Sequence, residues 1–343
     1  MRRLHWVLVV VVLGLAGALV GLFPGGASAV PARRECRSTA FVTNSFSDSV
    51  STIDTQTRTK HPSDIPVADG PAGVGVTPDG KTAFVSNNAS GTVSTIDVKT
   101  LTTRSPDIAV GASPWGVAVT PDGKTAYVTN GGSGTVSTID VKTRTKDPTD
   151  IAVGMGPFGV AITPDGKAAF VTHSYLAAES GHSVSTIDVK TRTKQPTDIN
   201  VTVLPWSVAV TPDSKTAYVV SGGGTVSTID VKTKTKNPAD IPVEATGPLV
   251  AITPDGKTAF ISNQLRDTVS TIDVATRTKD PNDIPVGSHP TGLAITPDGR
   301  TVFVANQGSA SVSTIDVKTR TKDPTDIPVG TAPVAVAVTP CRR

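Results

Sequence analysis

The chain contains little net charge, few aromatic residues and almost no cysteine. Its formal charge is +3 at pH 7, and two of the positive charges are Arg2 and Arg3 at its very start. A chain this close to neutral lacks the overall field that attracts nucleic acid or an anionic membrane, so neither is expected as a partner. No glycine-rich phosphate loop opens a helix, and no Ser-His-Asp or Cys-His arrangement can be assembled. The sequence therefore predicts no catalytic residue, no cofactor and no metal site.

The first 29 residues have the pattern of an export signal. Arg2 and Arg3 form a basic start, residues 6–23 are uncharged and apolar, and Ala27-Ser28-Ala29 fits a cleavage site. We expect a signal peptide at residues 1–29 and a mature chain at residues 30–343 that is secreted or lies at the cell surface or in the periplasm. If the apolar segment is not cleaved, it is long enough to serve as a membrane anchor.

Repetition is the most informative feature of the chain. The sequence STID recurs at intervals of about 43 residues. It begins at Ser51, Ser94, Ser137, Ser185, Ser227, Ser270 and Ser313. A period of this size, in a chain rich in Thr, Val, Gly and Pro, is typical of β-propeller blades. We predict an all-β fold in which residues 30–343 form a single seven-bladed propeller with four antiparallel strands in each blade.

Particular segments of the repeat resemble a known family. Tyr127-Val128-Thr129-Asn130, Phe41-Val42-Thr43-Asn44 and the recurring Thr-Pro-Asp-Gly turns are similar to the YVTN-family β-propeller repeat of surface-layer and periplasmic proteins. The resemblance covers residues 36–341 and implies seven blades. It also implies that residues 334–339 complete the blade begun by residues 39–67, so that N- and C-terminal strands share one blade. Family members include binding proteins and a few enzymes, so the resemblance indicates the fold more than the activity.

The two cysteines occupy equivalent places in the first and last repeats. Cys36 and Cys341 both align with the Asp of the Thr-Pro-Asp-Gly turn. They would therefore meet at one hairpin turn where the ring closes. In an oxidising compartment such a pair usually forms a disulfide, and we expect a Cys36–Cys341 bridge. Two unpaired thiols are the alternative.

The aromatic residues fall into two groups. One group recurs at a single strand position and is expected to be core: Phe41, Phe84, Tyr127, Phe170, Tyr218, Phe260 and Phe303. The second group, Trp115, Phe158 and Trp206, lies at one equivalent position in three consecutive blades, at the rim of the central channel. An insertion at residues 172–184 adds further polar and aromatic residues to this sector: His173, Tyr175, Glu179 and His182. We interpret these seven residues as a ligand- or partner-binding site, with shielding of the aromatics by the insertion as the alternative.

Three other residue sets suggest sites that we set aside. The Asp residues of the turns form a ring, but Asp in such a turn serves the local backbone. Clusters such as Lys142, Arg144 and Lys146 alternate with Asp and are expected to form a solvated face. His173, Glu179 and His182 include zinc-type ligands, but their spacing matches no zinc motif.

The inner strands, such as Val117-Ala118-Val119, carry no ionisable residue, which argues against a catalytic channel.

The leading hypothesis is a monomeric, secreted or cell-surface binding or scaffold module without catalytic activity. Its partner would be a small molecule, a glycan or a protein. One alternative is an extracytoplasmic enzyme of the lyase or lactone hydrolase type, which would need His173, Glu179, His182 or His289 at the channel mouth. Another is single-stranded DNA binding, suggested by resemblance to a periplasmic family member.

Overall fold

Short antiparallel strands make up the computed structural model, which describes residues 37–174, 182–243 and 249–341. The expected signal peptide and Cys36 lie outside these ranges. Residues 36–343 form one compact unit. No helix in the described ranges is long and apolar enough to cross a membrane.

One blade shows why the repeat folds as it does. Its inner strand ends at Val119, Thr120 leads into the Pro-Asp-Gly turn, and Gly123 adopts a left-handed φ of 71° that favours glycine. Thr120 Oγ1 donates to Asp122 Oδ1 at 2.6 Å, and the carboxylate also accepts the backbone N–H of Lys124 at 3.1 Å. The turn is therefore held by its own side chains, and it reverses the chain between the first two strands of each blade.

The strands are numbered in chain order and form seven sheets. Blade 1 contains β1 (Thr39–Asn44), β2 (Ser49–Asp54), β3 (Thr59–Lys60), β4 (Ile65–Pro66) and β34 (Pro333–Val338). Blade 2 contains β5 (Pro71–Val76), β6 (Thr82–Asn87), β7 (Thr92–Asp97) and β8 (Thr102–Ala109). Blade 3 contains β9 (Pro114–Val119), β10 (Thr125–Asn130), β11 (Thr135–Asp140), β12 (Thr145–Lys146) and β13 (Ile151–Ala152).

The remaining blades follow the same plan. Blade 4 contains β14 (Pro157–Ile162), β15 (Ala168–Ser174), β16 (His182–Asp188), β17 (Thr193–Lys194) and β18 (Ile199–Asn200). Blade 5 contains β19 (Pro205–Val210), β20 (Thr216–Ser221), β21 (Thr225–Asp230), β22 (Thr235–Lys236) and β23 (Ile241–Pro242). Blade 6 contains β24 (Val250–Ile252), β25 (Thr258–Asn263), β26 (Thr268–Asp273), β27 (Thr278–Lys279) and β28 (Ile284–Pro285). Blade 7 contains β29 (Pro290–Ile295), β30 (Thr301–Asn306), β31 (Ser311–Asp316), β32 (Thr321–Lys322) and β33 (Ile327–Pro328).

The seven-bladed all-β propeller is confirmed, and so is the shared closing blade. Strand β34 pairs antiparallel with β1, with Phe41 opposite Ala337 and Val42 opposite Val336. The outer strand adds a detail to the four-strand plan predicted from the sequence. In six blades it is split into two short strands that both pair with the third strand, and only β8 of blade 2 is continuous.

The core lies between blades. All seven aromatic residues of the repeated strand position are at most 1% exposed, as expected. Phe170 of blade 4, for example, packs with Val208 and Val219 of blade 5. Because each blade buries its faces against its neighbours, the ring folds as a unit. The described residues include no free cysteine, but Cys36 lies outside them, so the Cys36–Cys341 bridge stays a prediction.

Candidate functional site

A cavity of about 510 Å³ opens at one mouth of the central channel. We call it the bowl. Its deeper wall is a ring of aliphatic side chains, one from each blade: Val74, Val117, Val160, Val208, Val250, Leu293 and Val336. Its rim carries the residue two positions earlier on the inner strands: Ala72, Trp115, Phe158, Trp206, Thr291 and Val334. A single repeated strand position thus supplies a rim whose chemistry differs from blade to blade.

Three adjacent rim residues form an aromatic wall, as the sequence predicts. The rings of Trp115 and Phe158 stack with centroids 4.5 Å apart, and Phe158 meets Trp206 edge-on at 4.9 Å. Both geometries are favourable aromatic arrangements. Glycine at the next loop leaves room for the indoles, because a Cβ at Gly131 would lie 3.4 Å from Trp115 and one at Gly222 would lie 3.1 Å from Trp206.

The backbone of this wall is fixed by the preceding blade. Hydroxyl groups of the second strands donate to the carbonyl oxygens of the wall residues: Ser86 to Trp115 at 2.5 Å, Thr129 to Phe158 at 2.6 Å and Thr172 to Trp206 at 3.1 Å. Glycines on the inner strands allow this approach. A Cβ on Gly116 would lie 2.6 Å from the oxygen of Phe158 and one on Gly159 would lie 2.7 Å from that of Trp206. The wall is therefore placed by backbone contacts rather than by its own side chains.

Two amides face the aromatic wall from the other side of the bowl, and the sequence reasoning missed them. Gln264 of blade 6 and Gln307 of blade 7 line the bowl at the loop position that holds Gly131 and Gly222 in the aromatic blades. Gln264 Nε2 donates to Gln307 Oε1 at 3.4 Å. The sequence does contain a signal that could have identified them. The same loop position holds glycine in the two blades that carry tryptophan, and glutamine in blades 6 and 7.

Among the described residues that line the bowl, none is Asp, Glu, Lys, Arg or His. A second cavity of about 440 Å³, which we call the side groove, shares Ser45, Phe46, Ala72, Trp115 and Val334 with the bowl. The side groove contains two carboxylates, Asp48 and Asp69. Asp48 Oδ1 accepts the backbone N–H of Gly70 at 2.8 Å and so holds the loop. Asp69 is exposed, and none of the described residues donates a hydrogen bond to its carboxylate.

Asp69 also breaks the repeat. It stands two residues before the proline that begins the inner strand. The same position in other described blades holds Ala112, Met155, Val203, Ser288 and Thr331. Residues that recur in every blade are explained by the fold that the blades share. Asp69 does not recur, and it lies beside the bowl, so it is a candidate catalytic residue. Sequence reasoning missed it because it examined the inner strands and the histidines.

The structure places His173 away from the bowl. It is 3% exposed and lies at the end of β15, in the place of the Asn that occupies this position in most blades. His173 Nε2 lies 2.7 Å from Ser185 Oγ, which donates to Asp198 Oδ1 at 2.7 Å. Burial lowers the pKa of His173. The ring therefore links β15 to β16 through Ser185, away from the bowl.

Of the other predicted site residues, His182 is described, and it does not line the bowl. His182 begins β16, and its Nδ1 accepts the backbone N–H of Leu204 at 3.1 Å. Tyr175 and Glu179 lie outside the described residues. His289, the fourth ionisable candidate, has a left-handed φ of 51° and its Nδ1 lies 3.0 Å from Ser288 Oγ. Of the five predicted site residues that the structure describes, Trp115, Phe158 and Trp206 line the bowl, and His173 and His182 do not.

The opposite face is charged and internally balanced. Lys146 pairs with Asp150 at 2.7 Å, and Arg192 of blade 4 reaches Asp147 of blade 3 at 2.7 Å. Hydrogen bonding by Thr120 lowers the pKa of Asp122 in its turn. Within the described ranges, no group of three or more His, Cys, Asp or Glu residues could hold a metal ion.

Comparison with known proteins gives one family match. A family model described as a lactonase with a seven-bladed β-propeller matches residues 35–155 and 229–339. No curated protein matches the chain in sequence.

Solved structures share the fold at low identity. Hydrazine synthase of Kuenenia stuttgartiensis is 24% identical, with a TM-score of 0.69 over 77% of this chain and 88% of that one. A putative 6-phosphogluconolactonase from Bacteroides fragilis is 20% identical, with a TM-score of 0.73 over 90% of this chain and 99% of that one. A second, from Bacteroides uniformis, is 18% identical, with a TM-score of 0.73 over 89% and 100%. At these identities the likeness shows the fold alone.

The family match corrects the functional expectation. The prediction of a binding or scaffold module without catalytic activity is wrong, because the matching model is that of an enzyme family. The expectation failed because it treated uncharged inner strands as evidence against catalysis. In the described residues, two carboxylates, Asp48 and Asp69, lie in loops of the side groove, which shares residues with the bowl.

Proposed function

Since the chain belongs to the family of lactonases built as seven-bladed β-propellers, we propose that it is an enzyme that hydrolyses a lactone held in the bowl. The observation that carries the proposal is the pairing of this family match with a bowl of about 510 Å³ that has an aromatic wall and two facing amides. A flat lactone ring lies against the faces of Trp115 and Phe158, and the ring is oriented by the polar side of the bowl.

We assign to Gln307 the role of hydrogen-bond donor to the carbonyl oxygen of the lactone. Its Oε1 accepts the Nε2–H of Gln264 at 3.4 Å, which leaves its own amide N–H groups to donate. Charge develops on the carbonyl oxygen when the carbonyl carbon is attacked. A glutamine amide held in place can stabilise that oxyanion, and loss of one such donor typically costs about 10²–10³ in kcat.

Asp69 is assigned as the general base. Its carboxylate takes a proton from a water molecule, and the water oxygen forms a bond to the carbonyl carbon while one carbonyl electron pair moves to oxygen. When the tetrahedral intermediate collapses, the ring C–O bond breaks. The ring oxygen then takes the proton from Asp69, which leaves a hydroxy acid and regenerates the carboxylate. Water and lactone are the only reactants.

The test is ring opening measured by acid release at constant pH, with simple γ-lactones as substrates. Asp69→Asn is expected to lower kcat by about 10²–10⁴. It should leave binding intact, as followed by the emission of Trp115 and Trp206. Asp48→Asn is the matched control: it lies in the same side groove, and its amide oxygen can still accept the N–H of Gly70. Full activity of Asp69→Asn would remove the assigned base, and no ring opening by the native protein would refute the lactonase proposal.

We further propose that the protein acts outside the cytoplasm as a monomer, with repeats of the YVTN type and a Cys36–Cys341 bridge. The export pattern of residues 1–29 and the equivalent places of the two cysteines support this. Intact mass of protein recovered from the native host checks it. The mature protein should lack residues 1–29 and weigh less than its reduced form by two hydrogen atoms. A retained leader would contradict cleavage after residue 29, and a mass unchanged by reduction would contradict the bridge.

A further inference from the structure

The bowl offers no partner for a charged group. None of the lining side chains that the structure describes is ionisable, and its deeper wall is a continuous aliphatic ring. A phosphate or carboxylate held there would lose its water without gaining a cation, which costs several kcal/mol. Sites that bind such anions normally supply Arg or Lys, often as a bidentate partner.

The bowl is also larger than a bare lactone ring. Its volume of about 510 Å³ falls within the range of sites that enclose drug-sized ligands. Two of its surfaces are apolar, the aromatic wall and the aliphatic ring. A lactone ring placed between the wall and Gln307 therefore leaves apolar space that a hydrocarbon substituent can fill.

Apolar surface continues outside the bowl. The exposed large hydrophobic side chains of the described ranges are Phe46, Met155, Val203 and Leu265, at 82%, 60%, 49% and 69% exposure. All four stand in loops on the bowl side of the propeller, and Phe46 lines the bowl itself. Leu265 follows Gln264 directly in the chain. The opposite face instead carries the paired Lys, Arg and Asp residues.

We propose that the substrate is an uncharged lactone that bears an apolar substituent, and not a phosphorylated sugar lactone. This inference rests on the proposed function of the bowl. It also accounts for turnover: ring opening converts the neutral substrate into a carboxylate, which the uncharged bowl binds less well than the lactone it came from. Product release is thus favoured by the same walls that select the substrate.

The experiment compares two sets of lactones on the native protein. The first is a series of γ-lactones whose alkyl substituent grows by one methylene at a time. Each buried methylene is expected to raise kcat/KM by roughly threefold to fourfold until the bowl is full. The second is a pair of equal size in which one member carries a phosphate. The neutral member is expected to react at least about 100-fold faster, as the cost of an unpaired buried charge implies.

Two variants separate the bowl from the general surface. Trp115→Ala should flatten the dependence on chain length, while Met155→Ala, which removes an exposed apolar side chain that does not line the bowl, should not. Val334→Lys adds a cation at the rim and should shift preference towards the phosphorylated lactone. Circular dichroism and thermal melting confirm that each variant folds.

The outcomes distinguish this inference from the function on which it rests. If no lactone of either set is opened, the proposed function fails. If lactones are opened but kcat/KM is independent of chain length, or the phosphorylated member reacts as fast as the neutral one, the substrate class is wrong while the lactonase activity stands.

Discussion

Gly116→Ala tests how the aromatic wall is held. Gly116 lies in β9, and the structure gives it no left-handed φ, so an alanine backbone is tolerated there. In the absence of a collision, the change would stabilise the protein by about 0.4–1 kcal/mol, because alanine restricts the unfolded chain. The added Cβ, however, would lie 2.6 Å from Phe158 O and 3.1 Å from Val160 N, both backbone atoms of the next blade. We therefore expect the opposite sign.

The magnitude follows from the contact. Real Cβ atoms essentially never approach another atom within 3.0 Å, so blade 4 must move away at this point. Overpacking of this kind typically costs about 1–3 kcal/mol. The movement also strains the hydrogen bond from Thr129 Oγ1 to Phe158 O at 2.6 Å and the stacking of Phe158 on Trp115. Lactone binding should weaken together with stability.

Urea unfolding measures the first effect, and tryptophan emission with and without lactone measures the second. The matched control is Gly292→Ala in blade 7, whose Cβ would lie 2.5 Å from Val334 O, at the contact between blades 7 and 1 instead of blades 3 and 4. It should cost similar stability but leave the emission spectrum unchanged. A Gly116→Ala variant that is more stable than the native protein and binds lactone normally would refute the argument that the blade contact places the wall.

Two further predictions concern stability alone. Tyr127→Phe removes the hydroxyl that donates to Val189 O of the next blade at 3.3 Å, and urea unfolding should show a loss of about 0.5–1.5 kcal/mol; no loss would contradict a contribution from this bond. Arg104 donates to Asp97 and lowers the pKa of that carboxyl to about 2. Because the folded pKa lies below the unfolded value of 3.8, this stability is present above pH 4 and is lost as the pH falls towards 2. Both side chains are partly exposed, so Arg104→Gln should cost at most about 1 kcal/mol at pH 7 and nothing at pH 2; an equal cost at both values would exclude the ionic origin.

Much of the architecture could be predicted because it is written in every repeat. The Thr-Pro-Asp-Gly turn and the STID strand recur with fixed spacing, so errors in one unit are corrected by the others. The outer strand could not be predicted from alternation. In blade 3, Pro148 lacks an N–H and Asp147 Oδ1 accepts the N–H of Thr149 at 3.0 Å, so the local turn interrupts pairing with β11.

The site was predictable only where it interrupts the repeat with a large side chain. Trp115 and Trp206 stand out by size, whereas Gln264, Gln307 and Asp69 are ordinary loop residues until the ring places them beside the bowl. His173 shows the opposite error, because the sequence suggested a site residue where the structure has a buried one. A histidine at the start of an insertion suggests a loop ligand, but β15 extends to Ser174 and buries it as a substitute for asparagine.

The way the rim is held has a consequence for how this scaffold can change. Hydroxyl donors and glycine contacts act on the main chain of the aromatic wall, and they hold its backbone independently of its side chains. Thr291 differs from the other rim residues named here, because its own hydroxyl donates to Pro333 O at 3.0 Å. Alanine, tryptophan, phenylalanine, threonine and valine already occupy equivalent rim positions on the same backbone. Single substitutions there can alter selectivity with little penalty to folding. The rim residue of each blade can therefore be varied independently on one backbone, and combinations of such substitutions can produce new specificities.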